Sequence, residues 1–111
     1  MRIASRTNRP VVIQLPREID ANNAAEVAAE IRVAYKPDTI IVADMAKARF
    51  CDSLGTRELL NAHYWAIASR CELRIARPSV AVLRVWELLG ADQIFAIYPS
   101  LGSARAASSR P

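Results

Sequence analysis

Four short apolar runs punctuate this chain: VVIQL (11–15), TIIVA (39–43), CELRIA (71–76) and IFAIY (94–98). Their β-branched content and bounding turn residues mark them as strands. The segment between the first two, ANNAAEVAAEIRVAY, carries Ala24, Val27, Ala28, Ile31 and Tyr35 at helical spacing. Two strands joined through a helix cannot form a hairpin. The crossover returns the chain toward its starting end, which favours parallel pairing. The alternation therefore demands an α/β domain, and TIIVA reads as an interior strand with helices flanking it.

The remaining segments fit that frame. Asn22 or Asn23 can cap the first helix, and Pro37 follows its end. Leu54–Ser69 reads as a second helix with Leu59, Leu60, Ala66 and Ile67 facing inward. Pro78 and Ser79 open a third, with Val82, Leu83, Trp86 and Leu89 inward and Gly90 at its C-terminal cap. A short helix follows Pro99 and Ser100. VVIQL is expected to be buried, and CELRIA to be half-buried, because it alternates. Ile3 is placed in an earlier edge strand that returns through a turn at 7–10, giving an antiparallel start. The expectation is one domain over 1–108, with a mixed sheet of about five strands, and a frayed tail over 109–111.

Several functional classes lose support at once. No apolar run approaches the roughly 20 residues of a membrane span, and Arg2, Arg6 and Arg9 interrupt any signal-like start. A cytoplasmic location is the expectation. Cys51 and Cys71 are too few for a disulfide framework and lack metal-ligand spacing. The net charge of +4 comes from arginines scattered along the chain, with no basic run, zinc-finger spacing or glycine-rich phosphate loop. No nucleic-acid partner, metal or cofactor is expected.

Chemistry concentrates in FCDSLGT, residues 50–56, where an apolar run gives way to a helix. Cys51, Asp52 and Ser53 place a thiol, a carboxylate and a hydroxyl in succession. A nucleophile would need a base within hydrogen-bond reach. The single histidine, His63, lies ten residues on, about 15 Å along a helix and rotated away. The flanks also lack the first glycine of a nucleophile elbow, because Cys51 occupies that place. His63, Tyr64 and Trp65 read as packing residues, and an enzyme is not expected. Ser53 suits an N-cap, with Asp52 favourable beside the positive helix end. Gly55 in the first turn costs up to about 1 kcal/mol relative to alanine, so another backbone should approach it closely. An exposed serine there also suits phosphorylation, since free amides and the helix dipole favour the added charge.

FCDSLGT resembles the F-x-D-S-x-G segment of STAS domains, specifically the bacterial anti-sigma-factor antagonists. LPREID (15–20) is similar to the family's strand end followed by G-E-[IL]-D. IIVADMAKARFCDSLG resembles its central strand, loop and phosphorylation site. PSVAVLRVWELLGADQIFAIYPSLGSA is similar to its closing segment. The resemblance implies a sheet with helices packed mainly on one face. It implies a partner, an anti-sigma factor that is also a serine kinase, and a protein phosphatase that reverses its action. It implies Ser53 as phosphoacceptor, with Asp20, Asp44, Asp52, Leu54, Gly55 and Thr56 at the partner-binding surface. Arg17 stands where the family usually has glycine, and Leu54 replaces a frequent second serine. The alternative is a binding module of the same fold in another complex, such as a lipid-transport ATPase accessory or a stress-signalling scaffold.

Overall fold

A computed structural model describes residues 9–106. Its elements are β1 (Val11–Gln14), β2 (Glu18–Ile19), α1 (Ala24–Val33), β3 (Ile40–Asp44), β4 (Phe50–Cys51), α2 (Ser53–Ala68), β5 (Glu72–Ala76), α3 (Val80–Leu89), a 3-10 turn (Ala91–Gln93), β6 (Ala96–Tyr98) and α4 (Leu101–Ala106). The main sheet has order β1-β3-β5-β6, with all three pairings parallel. Ile13 sits opposite Ala43, and Ala43 opposite Ile75. The antiparallel start expected at Ile3, and the tail, lie outside the described residues.

Side chains of a strand alternate between faces, and β3 sorts accordingly. Ile41 and Ala43 join the main core with Val27 and Ile31 of α1, Leu59, Ala62 and Ala66 of α2, and Val82 and Trp86 of α3. Ile40 and Val42 point the other way, onto Ala104 and Leu101 of α4. Three helices thus cover one face and a short fourth covers part of the other. Trp86 is fully buried and packs against Phe95 at 4.6 Å between ring centres.

Local stereochemistry explains where the helices stop and start. Ser79 caps α3, its hydroxyl accepting from the Val82 N–H at 3.1 Å. Gly90 ends it at φ 77°, a left-handed conformation that glycine adopts without a Cβ penalty. Both follow the expectation.

Other expectations are corrected. Val11 and Val12 are 38% and 39% exposed, because no element among the described residues lies beyond β1. Ile67 is 60% exposed; Ala62 points inward instead. Leu89 is half exposed at the end of α3, and Tyr64 and Trp65 lie on the outer face of α2, where the Arg32 guanidinium stacks 4.2 Å from the Trp65 ring. Strand β5 is buried on both faces, Arg74 included. Arg74 tolerates burial because Nε donates to Glu72 at 2.9 Å, Nη1 donates to the Ala104 carbonyl at 2.8 Å, and the Tyr98 ring lies beneath it. An alternating pattern reads as half-buried only when the polar residues reach water, and α4 closes that route.

Candidate functional site

The parallel strands of the main sheet end together at Gln14, Asp44, Ala76 and Tyr98. Past that rim the chain forms the small pair β2–β4, with Ile19 opposite Cys51. Asp20 and Asp52 therefore leave the pair at the same level. The Asp52 N–H donates to the Ile19 carbonyl at 3.1 Å, which ties the two segments one step beyond the ladder.

Asp52, not Ser53, is the cap of α2. Its carboxylate accepts from the Gly55 N–H at 2.7 Å. Ser53 becomes the first helical residue, exposed to solvent. Asp52 and Ser53 are both good caps, so residue type alone does not choose between them. The choice is made by the ladder, which holds Asp52 in an extended conformation at φ −82°, ψ −172°.

The first turn is clamped from below. A Cβ on Gly55 would lie 2.6 Å from the Ile19 carbonyl oxygen, 2.9 Å from Ile19 Cγ2 and 3.1 Å from Cys51 Sγ. The expected close backbone approach is thus present, and its source is β2. One residue on, the Thr56 hydroxyl donates to the Asp52 carbonyl at 2.8 Å and accepts from Trp86 Nε1 at 3.1 Å. Thr56 and Trp86 are both buried, so a hydrogen bond through the core fastens the turn to α3. Cys51 lies against the same hydroxyl, and burial pushes its thiol pKa up.

The predicted site residues divide by depth. Ser53 and Leu54 are exposed, while Asp20 and Asp52 are partly exposed. Gly55, Thr56 and Asp44 are buried and hold the surface from beneath. Asp44 takes a two-point fork from Arg77, with Nε–Oδ1 at 2.9 Å and Nη2–Oδ2 at 3.0 Å. Those hydrogen bonds outweigh the opposing effect of burial and hold the Asp44 carboxyl below its usual range. Of this pair, the guanidinium reaches solvent, with the Arg77 side chain 44% exposed. Asp20 is fixed by its loop: its N–H donates to Asn23 Oδ1, and its own carboxylate accepts from the Asn22 N–H. Asn23 sits at the α1 cap position without capping the helix, because its amide serves Asp20 and the Glu18 carbonyl.

Sequence reasoning missed Phe50, which is 49% exposed, as Leu54 is at 45%. Along the chain the two bracket the Asp52–Ser53 dipeptide. Arg17 causes no backbone strain: positive φ occurs only at Asp38, Arg70, Arg77 and Gly90 among the described residues. Its carbonyl accepts from the N–H groups of Arg49 and Phe50. Its side chain is exposed. No group of three or more His, Cys, Asp or Glu among the described residues is placed to hold a metal, and no described helix is long and apolar enough to cross a membrane.

Residues 2–104 match the STAS domain family. The chain belongs to that family. A crystal structure of a candidate anti-sigma factor antagonist from Thermotoga maritima superposes with a TM-score of 0.70 at 20% identity, covering 84% of this chain and 83% of that one. No curated protein is detectably similar. The STAS fold therefore stands as expected from FCDSLGT and its neighbours, with helices mainly on one face.

Proposed function

We propose that this STAS domain is an anti-sigma-factor antagonist of the cytoplasm, switched off by phosphorylation of Ser53. The observation that carries the reading is the placement of Ser53. It is an exposed hydroxyl at the first position of a helix whose turn is capped, clamped and bonded to the core independently of it. A phosphate added there meets the positive end of the α2 dipole, which favours it. The backbone has no need to move, because Asp52 already supplies the cap. The surface changes by about −1.5 to −2 charges. Such a change is legible to a partner and harmless to the fold.

The partner is an anti-sigma factor with serine kinase activity, and a protein phosphatase restores the antagonist. Its footprint is centred on Ser53 and Leu54, with Asp20, Asp52 and Phe50 around them. Thr56, Gly55 and Asp44 act by holding those groups in place. The domain itself performs no catalysis: His63 is about 15 Å along α2 from Ser53, too far to serve as its base.

The test pairs this protein with anti-sigma kinases of its source genome. With ATP, peptide mapping should place one phosphate on Ser53. Ser53→Ala should bind the same partner and resist modification. Ser53→Asp should melt like wild type yet bind at least about tenfold more weakly, since a charge buried against a surface fitted to a hydroxyl meets desolvation and repulsion from Asp52. Equal binding by Ser53→Asp would reduce Ser53 to a surface residue. The alternative, a module in a different complex, would then lead.

A further inference from the structure

A cavity of about 320 Å³ lies at the opposite end of the molecule from Ser53, lined by His63, Ile67, Arg70, Leu73, Ile94 and Ala96. It sits where β5 and β6 begin and α2 ends, about 25 Å down the helix from Ser53 at 1.5 Å per residue. The partner surface proposed above does not reach it. Its volume falls at the lower end of the range for small-molecule sites, about 300–1,000 Å³.

The lining has two characters. Leu73 is 2% exposed, whereas Ile67 and Ile94 are 60% and 38% exposed. Two isoleucines held in water around a hollow lined by further apolar side chains make a greasy mouth. The charged lining residues are Arg70 and Glu72. Arg70 is exposed and lines the cavity alongside His63. Glu72 is the one acid among the lining residues, and Arg74 already engages its Oε2 at 2.9 Å. Cys71 also borders the cavity, but its thiol donates to the Lys36 carbonyl. The charge left to meet a ligand is therefore the Arg70 guanidinium, a donor matched to carboxylate geometry.

We infer that this cavity binds a short-chain aliphatic monocarboxylate, with its chain among Ile67, Leu73, Ile94 and Ala96 and its carboxylate on Arg70. The inference does not depend on the reading of Ser53.

The experiment titrates isotope-labelled full chain with sodium hexanoate and follows the amide resonances. Two parallel titrations use 1-hexanol, which keeps the chain without the charge, and acetate, which keeps the charge without the chain. Hexanoate should give saturable shifts at Leu73 and Ala96, and both analogues should bind at least about tenfold more weakly. Arg70→Asn keeps a residue that tolerates the φ of 59° found there. It should weaken hexanoate by about tenfold or more and leave 1-hexanol unchanged. Ile94→Glu should abolish hexanoate binding by placing a carboxylate at the mouth. Non-saturable hexanoate shifts, or equal binding of hexanoate and 1-hexanol by wild type, would overturn the inference without recourse to any variant. So would undiminished hexanoate affinity in a folded Arg70→Asn protein.

Discussion

Replacing Gly55 by alanine tests the clamp beneath Ser53, because two effects of opposite sign meet at one methyl group. Helix propensity favours the substitution by up to about 1 kcal/mol. The contacts oppose it. The new Cβ would stand 2.6 Å from the Ile19 carbonyl oxygen and 2.9 Å from Ile19 Cγ2, and the first of these atoms is backbone. It can retreat only if β2 moves, which pulls on the bond from the Asp52 N–H to that same carbonyl. Overpacking of this kind costs about 1–3 kcal/mol and occasionally more, and weakening the backbone bond adds about 1 kcal/mol. The net expectation is a loss of about 1–3 kcal/mol. For a chain of this length that corresponds to a Tm lower by roughly 4–15 °C. Gly102→Ala supplies the control. It also lies in a helix, but its nearest foreign atom would be Ser100 Oγ at 4.0 Å, so only propensity acts and stability should rise. Thermal and urea melts of the two variants should therefore shift in opposite directions. A neutral or stabilising Gly55→Ala would refute the clamp, and with it the claim that the Ser53 turn is held rigid from beneath.

Asp52→Ala should cost about 0.5–2 kcal/mol in urea melts through loss of the α2 cap, while Ser53→Ala should stay within about 0.5 kcal/mol of wild type. Trp86→Phe removes the Nε1 donor to Thr56. It should destabilise the domain by about 1–3 kcal/mol, with proteolysis near residues 50–56 accelerated. Asp44 has a folded-state pKa below its unfolded value. The stability it contributes is therefore complete above the ordinary carboxylate range near pH 4 and is lost as pH falls through the folded pKa. Asp44→Asn should flatten that acid limb in melts recorded across the range. Both thiols are buried, so a thiol-reactive dye should label neither in the native protein and both after denaturation.

The main strands, the crossover helices that make them pair in parallel and the close approach at Gly55 could be read from residues alone, because each rests on a local pattern; the spatial order of the strands could not. TIIVA announces an interior strand by its continuous apolar run. Gly55 announces a backbone neighbour by occupying a place where glycine is unfavourable. What stayed hidden depends on tertiary partners. Strands β2 and β4 have two residues each, too few to show any period, yet they decide that Asp52 caps α2. Arg74 reads as a solvent-facing residue until α4 folds over it. Asp44 reads as a surface acid until Arg77, 33 residues later, reaches back to it. Phe50, in a strand of two residues, gives no sign that it remains half in water.

The main sheet adds its strands in the order in which the chain is made: β1, β3, β5, then β6. Among the described strands, none has to insert between two that are already paired. During synthesis on a ribosome the sheet can therefore grow from one side only, each helix closing over the face as the next strand arrives. Every pairing still waits for a whole crossover to emerge, so assembly starts late and proceeds in steps, unlike a sheet of hairpins. Until the next strand emerges, the newest one is an open edge able to pair with another nascent chain. The final strand, β6, has three residues, against four or five in each of the others. The edge that completes the sheet is thus the shortest, and it offers the least backbone for an intruding strand to copy.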